Sequence, residues 1–127
     1  MSIELFGIPN CDTVKKARAW LAERGTEYAF HDYKKEGADP DRLAAWSDVA
    51  GWEALLNRRG TTFRALPDAD KVDIDEAKAL RLMAAHPSLI KRPVVEYTGG
   101  LLVGFDPSEW ARVLLESVGV QARAVTM

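Results

Sequence analysis

The hydrophobic period of the chain switches from two to about 3.6 across one short turn near its start, and a cysteine stands at the switch. Residues 2–6, Ser-Ile-Glu-Leu-Phe, alternate and predict a strand. Gly7-Ile8-Pro9-Asn10 is turn chemistry. Val14, Ala17 and Leu21, with Trp20 beside them, then fall on one face of a helix predicted over 12–24 and stopped by Gly25. A second strand is predicted over 27–33, with Tyr28, Phe30 and Asp32 alternating with Ala29 and His31. Strand, helix and strand in that order need a crossover connection, which belongs to sheets covered by helices.

The rest of the chain completes the pattern. A polar loop is expected over 34–38. Asp39 as N-cap and Pro40 at the first helical position open another helix, with Leu43, Trp46 and Val49 or Ala50 as its apolar stripe and Gly51 at its end. Residues 52–56 predict one more helical turn, before Asn57-Arg58-Arg59-Gly60. Asp73 with Glu76 reads as a capping box for a helix reaching about Ala85, ended by His86-Pro87. Residues 93–97 and 101–103 predict two strands joined by a Gly99-Gly100 hairpin turn. Asp106-Pro107-Ser108-Glu109 starts a last helix, with Trp110, Val113 and Leu114 facing the core, and 118–127 is expected to fray. A β-α-β unit joined to a β-β-α unit through a helical insert is the thioredoxin arrangement. The expected fold is therefore α/β, with a mixed sheet, helices on both faces and a helical insert over about 39–88. One domain over 1–117 and a tail over 118–127 follow from this reading, and 127 residues suit one domain rather than two.

Composition narrows the function. A 47% hydrophobic content supports a core without staples, and a net charge of −2 implies no general affinity for nucleic acid or an anionic membrane. The apolar runs are too short to span a bilayer, and the start of the chain lacks the basic and apolar regions of a signal peptide, so a cytoplasmic protein is expected. One cysteine excludes an internal disulfide and a cysteine-based metal cluster within one chain.

Cys11 lies where unpaired backbone N–H groups and the helix dipole favour a thiolate over a thiol. Lys15, one turn along, adds to the local positive potential. The alternative is that Cys11 is a small apolar plug under the loop. Position 14 is Val, so a Cys-x-x-Cys pair is missing. A reactive Cys11 must then be resolved by a second thiol from outside, such as glutathione or a glutaredoxin, through a mixed disulfide.

Two compact basic pairs, Arg58-Arg59 and Lys91-Arg92, stand at element boundaries. Arginine matches oxyanions and carboxylates with its fork of donors, although isolated dibasic pairs are commonly solvated surface charge. His31 and His86 have no neighbouring partner in sequence for metal or triad chemistry, and no metal site is expected. The four tryptophans fall mostly on apolar stripes and read as core. Asp12 and Thr13 read as stabilisers of the first helical turn.

Three separated segments in order carry a family resemblance: Gly-Ile-Pro-Asn-Cys-Asp-Thr-Val-Lys-Lys-Ala at 7–17, Gly-Trp-Glu-Ala-Leu-Leu-Asn-Arg-Arg-Gly-Thr-Thr-Phe-Arg at 51–64, and Ile-Lys-Arg-Pro at 90–93, followed by Gly104-Phe105. The chain resembles the YffB-like branch of the arsenate reductase (ArsC)/Spx family from about Ile3 to Leu115. The resemblance implies a thioredoxin-like core, a nucleophilic cysteine at Cys11, an arginine at Arg59, and an arginine before a cis-proline at Arg92 and Pro93. Asn10 and Lys15 join them as candidate anion-binding residues beside the cysteine. It further implies a thiol-dependent oxidoreductase with glutathione as co-substrate, no bound cofactor, and glutathione or glutaredoxin as partner. Family members that reduce arsenate carry an arginine in an Arg-Pro-Ser-Glu segment, and here that position is Asp106. The Spx branch consists of transcriptional regulators that bind RNA polymerase, and a binding module of that kind is the competing expectation. A structural member with an unreactive cysteine is a third.

Overall fold

The computed structural model describes residues 2–115, so the expected tail over 118–127 lies outside the described residues. Four strands form one sheet in the order β2-β1-β3-β4: β1 (Ile3–Gly7), β2 (Ala29–Asp32), β3 (Val94–Tyr97) and β4 (Gly100–Val103). β1 runs parallel to β2 and antiparallel to β3, and β3 runs antiparallel to β4. The sheet is mixed because β1 reaches β2 through a crossover helix, α1 (Asp12–Glu23), whereas β3 and β4 form a hairpin.

Side-chain alternation along β1 and β3 divides the core in two. Leu5 and Val95 pack with Val14, Ala17, Trp20 and Leu21 of α1 and with Trp110. Phe6 and Val94 point the other way, into a cluster with Leu43, Trp46, Leu55, Met83 and Ile90 from the segment between β2 and β3. That segment carries α2 (Tyr33–Glu36), α3 (Pro40–Ala50), α4 (Trp52–Leu55), α5 (Thr61–Arg64) and α6 (Glu76–Ala85), 3-10 turns at Asp68–Asp70 and Pro87–Leu89, and an isolated antiparallel bridge between Leu56 and Ile90. After β4 come α7 (Pro107–Trp110) and a π-helical turn at Ala111–Leu115.

Several sequence expectations are corrected. The second strand is shorter than 27–33, and the expected polar loop begins with α2, because the Asp32 carboxylate accepts from the backbone N–H groups of Lys34 and Lys35 at 3.1 and 3.3 Å. Asp75, not Asp73, caps α6, accepting from Lys78 N at 2.9 Å, while Asp73 adopts a left-handed φ of 51° in the preceding loop. On α3, Val49 is exposed and Ser47 is buried in its stead, its hydroxyl bonded to Glu76 of α6 at 2.9 Å. The hairpin turn is Thr98-Gly99: Gly100 already pairs with Tyr97, and Gly99 supplies the positive φ. Pro93 precedes β3 rather than starting it.

Candidate functional site

β1 ends at Gly7, and the chain turns through Ile8, Pro9 and Asn10 into α1. A Cβ on Gly7 would lie 2.8 Å from Cγ2 of Val14, well inside contact distance. The missing side chain lets the first turn of α1 sit hard against the end of the strand. Cys11 is the N-cap of α1, extended at φ −127° and ψ 126°, and its carbonyl accepts from Lys15 N at 2.9 Å. Its side chain makes no capping hydrogen bond and is half-buried against the cluster around Leu5 and Val14. The sulfur is therefore held at the helix N-terminus without being consumed in closing the helix. Among the described residues no group of three or more His, Cys, Asp or Glu is placed to hold a metal ion.

The second component is the chain entering β3. The Arg92–Pro93 peptide bond is cis. Val94 pairs with Phe6, so Pro93 stands beyond that pair, at the end of β1 from which the cysteine turn departs. Pro93 is buried, and its carbonyl accepts from Gly104 N at 2.8 Å. Arg92 is half-buried; its Nη1 donates to the Ser88 carbonyl at 3.4 Å. Among the described residues no carboxylate lies within ion-pair distance of it.

A residue that the sequence did not point to completes the arrangement. Tyr33, the first residue of α2, is almost fully buried, and its hydroxyl donates to the Ile90 carbonyl at 3.0 Å. Burial pushes its phenol well above the usual tyrosine range; the Arg92 cation acts against this and Cys11 adds to it, so both residues act electrostatically on the same hydroxyl. The phenol is neutral at any working pH. Asp32 immediately before it, an N-cap residue type, was the one sequence signal that a helical turn starts here. Tyr33 also lines a cavity of about 290 Å³ with Phe6, Arg42 and Trp46, a lining that does not include Cys11.

The other candidates are less constrained. Asn10 and Lys15 are exposed on either side of the cysteine, and their side chains have no hydrogen-bond or ion-pair partner among the described residues. Arg59 lies in the loop after α4. That loop is bound to the segment leading to Arg92 by Asn57 N to Leu89 O at 2.8 Å and Lys91 N to Leu55 O at 2.7 Å. The Asn57 side chain accepts from Arg59 N at 3.1 Å, which shapes the loop and leaves the Arg59 guanidinium exposed. Arg58 instead sits over the Trp52 ring at 5.5 Å. Asp106 caps α7, accepting from Ser108 N at 3.0 Å and Glu109 N at 3.4 Å. His31 stacks on Phe6 at 4.6 Å.

A cysteine at a helix N-terminus, a cis-proline at the same end of the central strand, and a β2-β1-β3-β4 sheet with helices on both faces define a thioredoxin-like protein with a helical insert. More narrowly, residues 6–113 match the ArsC family, and the chain belongs to that family. It is 43% identical over 108 residues to an uncharacterized protein of Haemophilus influenzae, covering 85% of this chain and 95% of the relative. A global transcriptional regulator Spx of Streptococcus pyogenes is 28% identical over 109 residues, covering 84% of this chain and 81% of the regulator. Among solved structures, a YFFB protein superposes with a TM-score of 0.86 at 54% identity, covering 88% of this chain and 98% of that one. An arsenate reductase (ArsC) related protein from Brucella melitensis does so with a TM-score of 0.72 at 51% identity, covering 89% and 94%. An arsenate reductase from Vibrio cholerae shares the fold, with a TM-score of 0.75 at 21% identity over 90% and 98%. No described helix is long and apolar enough to cross a membrane.

Proposed function

We propose that the chain is a thiol oxidoreductase in which Cys11 is the nucleophile and glutathione the co-substrate. One observation carries the reading: a cysteine whose thiol makes no cap bond at a helix N-terminus follows the same end of β1 that the chain reaches at the Arg92–Pro93 cis bond, and among the described residues no carboxylate is within ion-pair distance of the half-buried Arg92. On a glutathionylated substrate the Cys11 thiolate attacks the glutathione sulfur. A Cys11–glutathione disulfide forms, and the substrate leaves as a thiolate that takes up a proton. A second glutathione thiolate then attacks the mixed disulfide, giving oxidised glutathione and restoring Cys11. Arg92 attracts the carboxylates of the tripeptide, and exposed Arg59, Asn10 and Lys15 lie around the approach. Arsenate reduction is the less favoured branch. Family members that carry it out have an arginine where this chain has Asp106, and that carboxylate is engaged as a helix cap. Parallel coupled assays with glutathione and glutaredoxin on arsenate and on a glutathionylated substrate test the reading. Turnover of the mixed disulfide well above that of arsenate is expected, and arsenate turnover matching a dedicated reductase would overturn the preference.

The likeness to Spx favours a second reading, a module that docks on RNA polymerase. Val14 is buried where a resolving cysteine would be needed, so a redox change within the chain could not govern docking. A pull-down that recovers polymerase in a Cys11-dependent manner would put this reading first.

A further inference from the structure

We propose that Tyr33 is a positioning residue of the Cys11 site: its buried hydroxyl, bonded to the Ile90 carbonyl, holds the 88–93 segment so that Arg92 presents its guanidinium to an anionic reactant at Cys11. The inference rests on the oxidoreductase reading above. Tyr33 and Ile90 are 57 residues apart, and their 3.0 Å bond is a buried contact between α2 and the turn that precedes Arg92. Two further backbone bonds, from Asn57 to Leu89 and from Lys91 to Leu55, tie the same segment to α4 and the loop after it, so Tyr33 is its anchor to α2. Arg92 reaches Ser88 O by a long 3.4 Å bond and its guanidinium also acts on the Tyr33 hydroxyl, so the phenol bounds where the guanidinium can go. A tyrosine suits the task because it is neutral. A carboxylate here would pair with Arg92 and cancel its attraction for an anion, whereas a phenol kept protonated by burial leaves the positive charge available.

Alkylation of Cys11 by an anionic and a neutral reagent of similar size, iodoacetate and iodoacetamide, measures that attraction directly. In Tyr33→Phe the iodoacetate-to-iodoacetamide rate ratio should fall about three- to tenfold, less than the full loss of one charge-assisted contact because Arg92 is displaced rather than removed, with the iodoacetamide rate nearly unchanged. Arg92→Ala should lower the ratio at least as far, and the double variant no further. A tyrosine that only stabilises the fold would lower the melting temperature and leave the ratio alone, which overturns the proposal. If Arg92→Ala itself leaves the ratio unchanged, or Cys11 reacts with neither reagent, the oxidoreductase reading fails and Tyr33 has nothing to position. A measurement on the unaltered protein stands whether or not the variant folds. Nitrogen-15 relaxation should show the Arg92 Nε restrained and the Arg59 Nε mobile, and equal mobility of the two would refute the assignment.

Discussion

Replacing Gly7 by alanine tests how the strand end and the cysteine helix are joined. The new Cβ would stand 2.8 Å from Cγ2 and 3.3 Å from Cγ1 of Val14, whereas relaxed carbon contacts lie at roughly 3.5–4.0 Å. Val14 is fully buried and β-branched, so it cannot rotate away cheaply. Overpacking of this kind costs about 1–3 kcal/mol, and the reduced freedom of the unfolded chain returns roughly 0.4–1 kcal/mol, leaving a net loss near 1–2 kcal/mol. For a domain of this size that lowers the melting temperature by roughly 4–8 °C. Val14→Ala alone should cost about 2–3 kcal/mol through lost burial and a small cavity. Together the two changes should cost less than their sum by about 1 kcal/mol or more, because the truncated Val14 makes room for the new methyl. Chemical denaturation of the four proteins supplies the cycle, and Cys11 alkylation should change in Gly7→Ala because the displaced turn carries the sulfur. Additive effects, or a Gly7→Ala protein as stable as the parent, would refute the close-approach argument.

Cys11→Ser should abolish thiol-dependent turnover yet raise the melting temperature slightly, since serine closes a cap bond that cysteine does not make here, about 0.5–1 kcal/mol by calorimetry. Arg92→Ala should slow formation of the glutathione adduct about tenfold, corresponding to roughly 1.4 kcal/mol, as followed by mass spectrometry. Asp106→Ala should cost about 0.5–2 kcal/mol through loss of the α7 cap, and urea melts report it. The folded-state pKa of Tyr33 is raised, so its contribution to stability is complete below the unfolded value near 10 and is lost as pH rises beyond it. Tyr33→Phe should remove about 1.4 kcal/mol per pH unit from the decline in stability above that value, and parallel alkaline denaturation series would show otherwise if the two curves ran parallel.

The parts of this protein legible in the sequence are those whose causes are local. Alternation in 2–6, turn chemistry at 7–10 and the Val14-Ala17-Leu21 stripe place Cys11 at a helix N-terminus, because each signal acts over a few residues. The Asp39-Pro40 and Asp106-Pro107 helix starts are legible for the same reason, since the Asp carboxylate and its amide partners lie within three positions of one another. Between Asp73 and Asp75, only one of which caps α6, local pattern did not discriminate: the choice follows from the path of the loop before it. The cis-proline and the roles of Arg59 and Arg92 rested on family resemblance, not on any local signal. What only the tertiary structure decided are relations across long loops: the β2-β1-β3-β4 order, the exclusion of Val49 from the core in favour of Ser47, and the place of Tyr33. The partners of Tyr33, Ile90 and Arg92, come from the far side of the helical insert. Burial and hydrogen bonding there depend on which surfaces meet once the insert folds back on the sheet, and no period or cap in the 33–36 segment encodes that meeting.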